Sequence, residues 1–220
     1  IHLPVTGLVC IENTHNRHGG TCSTPEEIAA VAEAAHAAGV PVHLDGARLF
    51  NAAVALKRPA EDFTRHVDSL TFCLSKGLGA PVGSLICGSR DVIAQARRVR
   101  KMIGGGMRQA GVLAAAGLVA METGIDRLAD DHAHARRLAE GLVGLPGLTL
   151  DLATVETNIV RFQLATAERA TRLVAGCAAR KIKVHHAGPT SIRCVTHKHV
   201  DSEDIHRALD AFREITAAWR

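Results

Sequence analysis

Short apolar runs that alternate with a well-marked helix constrain the fold of this chain more than any other feature. Four runs in the first half of the chain are typical of β-strands, at residues 8–11, 40–44, 70–74 and 83–87. Between the first two, Thr24, Pro25 and Glu27 predict a helix start with a capping box, and Gly39 predicts the helix end. Strands that alternate with helices favour a mostly parallel sheet with flanking helices, so we predict an α/β fold.

The second half of the chain has a different pattern. Residues 89–142 are helical in pattern, with a break at the three glycines 104–106. Four strand-like runs follow, at 148–152, 159–164, 183–185 and 192–195. Two helical stretches lie among them, at 167–180 and 202–219. We therefore predict a large α/β domain over residues 1–144 and a small C-terminal α+β domain over residues 145–220.

Composition limits the classes of protein to which the chain can belong. Hydrophobic residues make up 47% of the 220 residues and charged residues 22%, which is enough to bury a sizeable core. No apolar run reaches about 18 residues, so we expect no membrane span. The formal net charge of +4 is modest and the basic residues lack aromatic partners, which argues against nucleic-acid binding.

Six cysteines are scattered through the chain without a CxxC pair. This spacing favours neither a disulfide framework nor a zinc site, and we expect no metal. Cys10, Cys73 and Cys87 fall in strand-like runs, where we expect small buried side chains. The chain shows no signal-peptide pattern at its start, so we expect a reducing, cytoplasmic location.

Two residues at predicted strand ends carry the chemistry that most narrows the function. Lys76 stands among small residues after one strand, a setting that suits an amine which must lose a proton to attack a carbonyl. Asp45 ends another strand, where a carboxylate can pair with a protonated ring nitrogen. Ligands gather at the carboxyl ends of parallel strands, which Glu12 also occupies. The alternatives are a solvated loop lysine and a helix N-cap at Asp45.

The basic and glycine-rich stretch after residue 96 allows more than one interpretation. Its basic side chains begin with Arg97, Arg98, Arg100 and Lys101. They could form a solvated helix face, a nucleic-acid patch or an anion site. A nucleotide P-loop is excluded, because no Gly-Lys-Ser/Thr sequence follows the three glycines.

Four ordered stretches of the chain closely resemble the signature sequences of the L-threonine aldolases. They are ENTHN (12–16), HLDGARLFN (43–51), CLSKGLGAPVGS (73–84) and RKMIGGGMRQ (100–109). The later IRCVTH (192–197) also resembles the C-terminal domain of that family. The resemblance runs along essentially the whole chain. It implies the fold of type I pyridoxal-phosphate (PLP) enzymes, with a PLP-binding large domain and a small C-terminal domain.

The resemblance also implies roles for single residues at and near the cofactor. Lys76 would hold PLP as a Schiff base, and Asp45 would bind its pyridine nitrogen. Arg48 would lie beside the cofactor ring and the substrate carboxylate. Arg193 would bind that carboxylate, a task that suits the two parallel N–H donors of a guanidinium.

Other implied roles depend on neighbouring subunits or on the start of the chain. Lys101 and Arg108 match basic residues that reach a neighbouring subunit's site and bind the cofactor phosphate there. The family resemblance therefore implies a homo-oligomer, a dimer of dimers with shared active sites. His2 lies ten residues before Glu12, the spacing at which the family carries a histidine near the substrate β-hydroxyl. That histidine would accept the hydroxyl proton; its alternative is a terminal residue with no role.

The expected reaction is the retro-aldol cleavage of threonine or allo-threonine to glycine and an aldehyde. Two alternatives stay open: a PLP-dependent β-eliminating lyase of the same fold, and a non-catalytic or truncated subunit. The family carries a substantial segment before the point that matches Ile1, and the chain does not begin with Met. We therefore expect the chain to be a fragment, with an N-terminal segment that a separate chain could supply.

Overall fold

A computed structural model describes His2 and residues 4–219 of the chain. Its packing divides into two compact units. The first contains the described residues up to Thr14 together with Ser23–Asp126, and the second contains His15–Cys22 and the described residues from Arg127 onward. This division is one of packing contacts, and the domain boundary that we predict after residue 144 stays a prediction.

The first unit is built on a four-stranded sheet in which the strands follow one another in chain order. The strands are β1 (Val9–Glu12), β2 (Val42–Asp45), β3 (Ser69–Cys73) and β4 (Ser84–Gly88). The first three are parallel, and β4 pairs antiparallel with β3. The mostly parallel sheet of an α/β fold is thereby confirmed, since β1, β2 and β3 are joined by helical crossovers.

Five helices accompany this sheet, and the sequence predicted three of them. They are α1 (Pro25–Ala37), α2 (Leu49–Leu56), α3 (Ala60–Thr64), α4 (Arg90–Met102) and α5 (Gly111–Gly124). The capping box at the start of α1 is confirmed, because Thr24 Oγ1 accepts from the Glu27 N–H at 3.2 Å and Glu27 Oε2 accepts from the Thr24 N–H at 2.7 Å. The short α2 and α3 were not predicted.

The second unit packs three helices on one face of an antiparallel sheet. The helices are α6 (Leu128–Leu142), α7 (Ala167–Ala179) and α8 (Ser202–Ala217). The strands β5 (Leu148–Thr149), β6 (Ile159–Leu164), β7 (His185–His186) and β8 (Ser191–Val195) lie in the order β5-β6-β8-β7. Phe162 of β6 meets Phe212 of α8 edge to face, with ring centroids 5.9 Å apart, and both side chains are fully buried. The predicted α+β architecture of this region matches these elements.

The cysteines differ from the sequence expectation in their burial. Cys10 is exposed, and Cys73 and Cys87 are only half-buried, so the expectation of small buried side chains in β1, β3 and β4 was wrong. Those three strands are open to solvent on parts of their surface in this chain, which an apolar run alone does not reveal. The buried thiols are Cys177 and Cys194, and all six cysteines are free.

No helix in the described part of the chain is long and apolar enough to cross a membrane.

Candidate active site

The carboxyl ends of the parallel strands bring two acidic residues side by side. Glu12 is the last residue of β1 and Asp45 is the last residue of β2, and the two are direct partners in the sheet register. On its other side Asp45 pairs with Thr71 of β3. The Asp45 side chain is exposed at this edge. A carboxylate therefore stands at the sheet edge where ligands of parallel sheets gather.

The Asp45 carboxylate does not cap the helix that follows it. Its Oδ1 accepts from the Ala47 N–H at 3.1 Å, which closes a local turn. The N-cap residue of α2 is Arg48, and no side chain caps it. The N-cap alternative for Asp45 is therefore wrong.

Gly46 lets the chain turn directly beside β3. A Cβ at this position would lie 2.9 Å from the Thr71 carbonyl oxygen and 3.1 Å from Leu49 Cβ. The Gly46 N–H in turn donates to the Thr71 carbonyl at 2.8 Å. Because Gly46 has no side chain, the chain can follow this close path from Asp45 to Arg48. The side chain of Arg48 is half-buried in this turn.

Lys76 lies in the tight connection between β3 and β4. The connection is closed by backbone hydrogen bonds from Leu74 N to the Gly83 oxygen at 3.0 Å and from Gly79 N to the Lys76 oxygen at 3.0 Å. Leu74 and Leu78 are buried on either side of the lysine, and Lys76 itself is exposed. The loop is thus fixed by its apolar residues and presents the amine outward.

Helix α5 supports this loop through two glycines. A Cβ at Gly124 would lie 2.7 Å from the Leu78 carbonyl oxygen and 3.1 Å from its Cα. A Cβ at Gly117 would lie 2.9 Å from Cδ1 of Leu74. The backbone of α5 therefore passes so close to the loop that side chains larger than hydrogen do not fit at these two positions without a shift.

The glycine-rich stretch ends α4 and leaves its basic side chains exposed. Gly104 has a φ of 86°, a left-handed conformation that favours glycine. A Cβ at Gly106 would lie 2.8 Å from Lys101 Cδ, so the lysine stem packs over the glycine backbone. Lys101 and Arg108 are both exposed in this chain.

Arg193 belongs to the second unit, on β8. Its Nη1 donates to Asn16 Oδ1 at 2.8 Å, and Asn16 lies in the short segment His15–Cys22 that packs in this unit. The sequence did not assign Asn16 to Arg193, because the two are 177 positions apart in the chain. The available signal was only that both residues stand in stretches that resemble the same family.

A second arginine of this unit, Arg161, was also missed. It stands opposite Arg193 in the register of β6 and β8. Its Nε donates to Ser191 Oγ at 2.9 Å, and its Nη1 donates to the Arg17 carbonyl. The sequence indicated Arg161 only by its charge, since it is the one charged residue in the apolar run 159–164. In a strand it lies on the face opposite the buried Val160 and Phe162.

Three histidines in or near the family-like stretches have different settings. His2 is exposed, and its neighbours Ile1 and Leu3 lie outside the described residues. His15 Nδ1 accepts from the His18 N–H at 3.2 Å, and His197 Nδ1 accepts from the His199 N–H at 3.3 Å. The last two rings therefore hold local turns.

Three cysteines are protected from acting as nucleophiles by their surroundings. Burial raises the pKa of Cys22 to about 12, with a further contribution from the Glu156 carboxylate. Burial likewise raises the pKa of Cys177 to about 11 and that of Cys194 to about 12. Because the thiolate is the reactive form, these thiols are unreactive near neutral pH. Among the described residues, no group of three or more His, Cys, Asp or Glu side chains is arranged to hold a metal ion.

Comparisons with known proteins identify relatives along nearly the whole chain. The low-specificity L-threonine aldolase 1 of Arabidopsis thaliana is 43% identical over 213 residues, which cover 96% of this chain and 60% of the relative. The structure of a Leishmania major threonine aldolase matches with a TM-score of 0.79 at 21% identity, covering 98% of this chain and 63% of that one. A structure of SPT with PLP matches with a TM-score of 0.75 at 20% identity, covering 99% and 57%.

The chain spans about three fifths of the length of the curated relatives that it matches. The two matched structures show the fold alone at this level of identity, and it is the fold that the resemblance implied. The family model described as "Beta-eliminating lyase" matches residues 1–165, which is most of the chain. The chain therefore belongs to the beta-eliminating lyase family, and within it resembles the threonine aldolases.

Proposed function

We propose that this chain is part of a PLP-dependent aldolase that cleaves β-hydroxy-α-amino acids, such as threonine or allo-threonine, to glycine and an aldehyde. The observation that carries the proposal is the pair formed by Asp45 and Lys76. A carboxylate ends β2, and an exposed amine stands in the closed loop that follows the neighbouring strand β3. The identity to threonine aldolases along the chain supports this reaction over others in the family.

The side chains present fit the functional groups of PLP. An aldehyde needs a primary amine, which Lys76 presents to solvent, and a protonated ring nitrogen needs a hydrogen-bond acceptor, which the exposed Asp45 carboxylate provides. Arg48, in the turn after Asp45, would lie beside the ring. Lys101 and Arg108 are exposed cations that would reach the phosphate of a neighbouring subunit's cofactor.

When bound, PLP supplies an electron sink for the electron pair released at Cα. The Asp45 carboxylate would accept a hydrogen bond from the ring nitrogen and would keep it protonated, because a negative charge beside that nitrogen stabilises the protonated form. Lys76 Nζ would hold the cofactor covalently through its aldehyde carbon.

Arg193 binds the substrate carboxylate through its guanidinium. Asn16 Oδ1 accepts one of its N–H groups at 2.8 Å, which limits the orientations of the guanidinium and leaves other donors for the carboxylate. His2 accepts the proton of the β-hydroxyl as the Cα–Cβ bond breaks. A residue at position 2 without a basic nitrogen, as in His2→Gln, should therefore slow cleavage while cofactor binding is retained.

A product assay separates this function from its alternatives. Threonine incubated with the protein and PLP should yield glycine and acetaldehyde in equal amounts. An elimination product, a 2-oxo acid with ammonia, would instead identify a β-eliminating lyase, which the aldolase relatives do not favour. If a protein that binds PLP forms neither product, it is a non-catalytic or truncated subunit. A purely non-catalytic subunit would have no use for both Asp45 and Lys76.

We also propose that the protein is a homo-oligomer, a dimer of dimers with shared sites. Support comes from large exposed apolar side chains at the end of α4, in the glycine-rich stretch and on α5. Four of them have exposed fractions from 58% to 77%, namely Met102, Ile103, Met107 and Leu118. Such a surface favours association. A cytoplasmic location is supported by the six free cysteines, which suit a reducing compartment.

A further inference from the structure

A cavity in the second unit carries positive charge with no negative charge to balance it. The cavity has a volume of about 600 Å³ and is lined by residues of His15–Cys22 and of strands β6, β7 and β8. Its lining includes the three arginines Arg17, Arg161 and Arg193 and the histidines His18 and His186. Among the described residues that line it, none is an aspartate or a glutamate.

Two of the arginines are held next to each other by the sheet. Arg161 and Arg193 are direct partners in the register of β6 and β8, so their side chains leave the same face with Cβ atoms about 4.5–5.5 Å apart. Like charges in this position destabilise a sheet. In the part of the chain that the structure describes, neither guanidinium takes part in an ion pair with a carboxylate.

The hydrogen bonds of these arginines orient them without neutralising them. Arg161 donates to Ser191 Oγ and to the Arg17 carbonyl, and Arg193 donates to Asn16 Oδ1. All three acceptors are uncharged. A guanidinium has five N–H donors, so each arginine keeps donors for a further acceptor. Two half-buried, oriented cations that retain donors form a site for an anion with two charged groups.

We propose that this cavity binds the side-chain carboxylate of a dicarboxylic substrate, with Arg161 as the residue that selects it. The proposal rests on the proposed function, in which Arg193 takes the α-carboxylate, and it assigns the second carboxylate to Arg161. The preferred substrate class is then a β-hydroxy-α-amino acid with an acidic side chain, for which 3-hydroxyaspartate is the simplest probe.

The reaction of this probe is the same carbon–carbon cleavage. The Cα–Cβ bond breaks, the β-hydroxyl loses its proton and becomes the carbonyl of the aldehyde, and Cα gains a proton. The products of 3-hydroxyaspartate are therefore glycine and glyoxylate, and no oxidant, reductant or co-reactant is consumed.

Calorimetric titration without PLP tests the cavity independently of any reaction. Malonate, which has two carboxylates, and acetate, which has one, are titrated into the protein at constant ionic strength. Malonate should bind at least about tenfold more tightly than acetate, since it engages two guanidinium groups. Arg161→Gln should remove most of this preference. Equal affinities of the unchanged protein for malonate and acetate would overturn the proposal.

Two further variants control for general charge and for misfolding. Arg172→Gln removes the same charge from an exposed position of α7 that does not line the cavity, so the preference for malonate should persist. Arg161→Lys keeps the charge without the two parallel N–H donors. Its preference for malonate over acetate should be weaker than that of the unchanged protein and stronger than that of Arg161→Gln. An equal loss in Arg172→Gln and Arg161→Gln would contradict a specific role for Arg161.

Kinetics then connect the cavity to the reaction. The ratio of kcat/KM for 3-hydroxyaspartate to kcat/KM for threonine should fall about tenfold or more in Arg161→Gln and stay constant in Arg172→Gln. If neither substrate is cleaved, the proposed function is refuted. The malonate titration then still tests whether the cavity binds a dicarboxylate. Cleavage of threonine with an unchanged ratio would refute the substrate class alone.

Discussion

Asp131 is the most deeply buried charged residue described in the second unit. Its side chain is fully inaccessible, and Arg127 meets it with two hydrogen bonds, Nη1 to Oδ1 at 2.8 Å and Nη2 to Oδ2 at 2.6 Å. The same pairing raises the pKa of Arg127. A buried carboxylate is tolerated only with such a partner, because removal from water costs several kcal/mol per ion.

Arg127→Ala should therefore lower the free energy of unfolding by about 3–5 kcal/mol, since it leaves the buried Asp131 charge without its partner. Urea unfolding followed by the fluorescence of Trp219, the only tryptophan, measures this loss in the second unit. The control is Arg213→Ala, which breaks the exposed pair with Asp210 and should cost about 0–1 kcal/mol. Similar losses in both variants would contradict the role assigned to burial.

Single residues also show what the sequence can and cannot predict of the site. Lys76 and Asp45 were predicted as candidates because each follows an apolar run at a strand end, a local pattern. The Arg193–Asn16 hydrogen bond and the Arg161–Arg193 pair depend on strand order in the second sheet. That order joins residues far apart in the chain, so no local pattern contains it.

Helices and strands were predicted best where the sequence signals both their start and their end. α1 begins after the predicted cap Thr24 and is followed by Gly39 at a φ of 70°. β6 coincides with the predicted run 159–164. α2 and α3 were missed because α2 has no side-chain cap and α3 is only five residues long. The antiparallel direction of β4 was not predicted either, since an apolar run carries no information on strand direction.

The contact between α5 and the Lys76 loop predicts that a side chain at Gly124 destabilises the protein. Gly124→Ala should lower the melting temperature, because the added Cβ would lie 2.7 Å from the Leu78 carbonyl oxygen and a backbone atom cannot rotate away. This loss should exceed the gain of about 1 kcal/mol in helix propensity that alanine brings over glycine.

Gly111→Ala is the matched control in the same helix, since nothing lies within 4 Å of its added Cβ. Thermal unfolding should show an unchanged or higher melting temperature for Gly111→Ala and a lower one for Gly124→Ala. A rise in both variants would show that α5 does not press on the loop.

The exposed apolar surface of α5 predicts that the whole molecule self-associates. Leu118 is 65% exposed, so lysine at this position should cost little in the single chain. If α5 lies in a subunit interface, Leu118→Lys should reduce the molar mass measured by light scattering. Val31→Lys, at a 44% exposed apolar position of α1, should leave the mass unchanged. An unchanged mass in Leu118→Lys would remove α5 from the interface.

The absorbance spectrum of the protein with PLP measures directly whether Lys76 binds the cofactor. We expect a band near the visible edge that shifts on addition of glycine. The band should be absent in Lys76→Ala and should persist in the control Lys183→Ala, which removes another exposed amine. A band that survives in Lys76→Ala would contradict the assignment of the cofactor to this lysine.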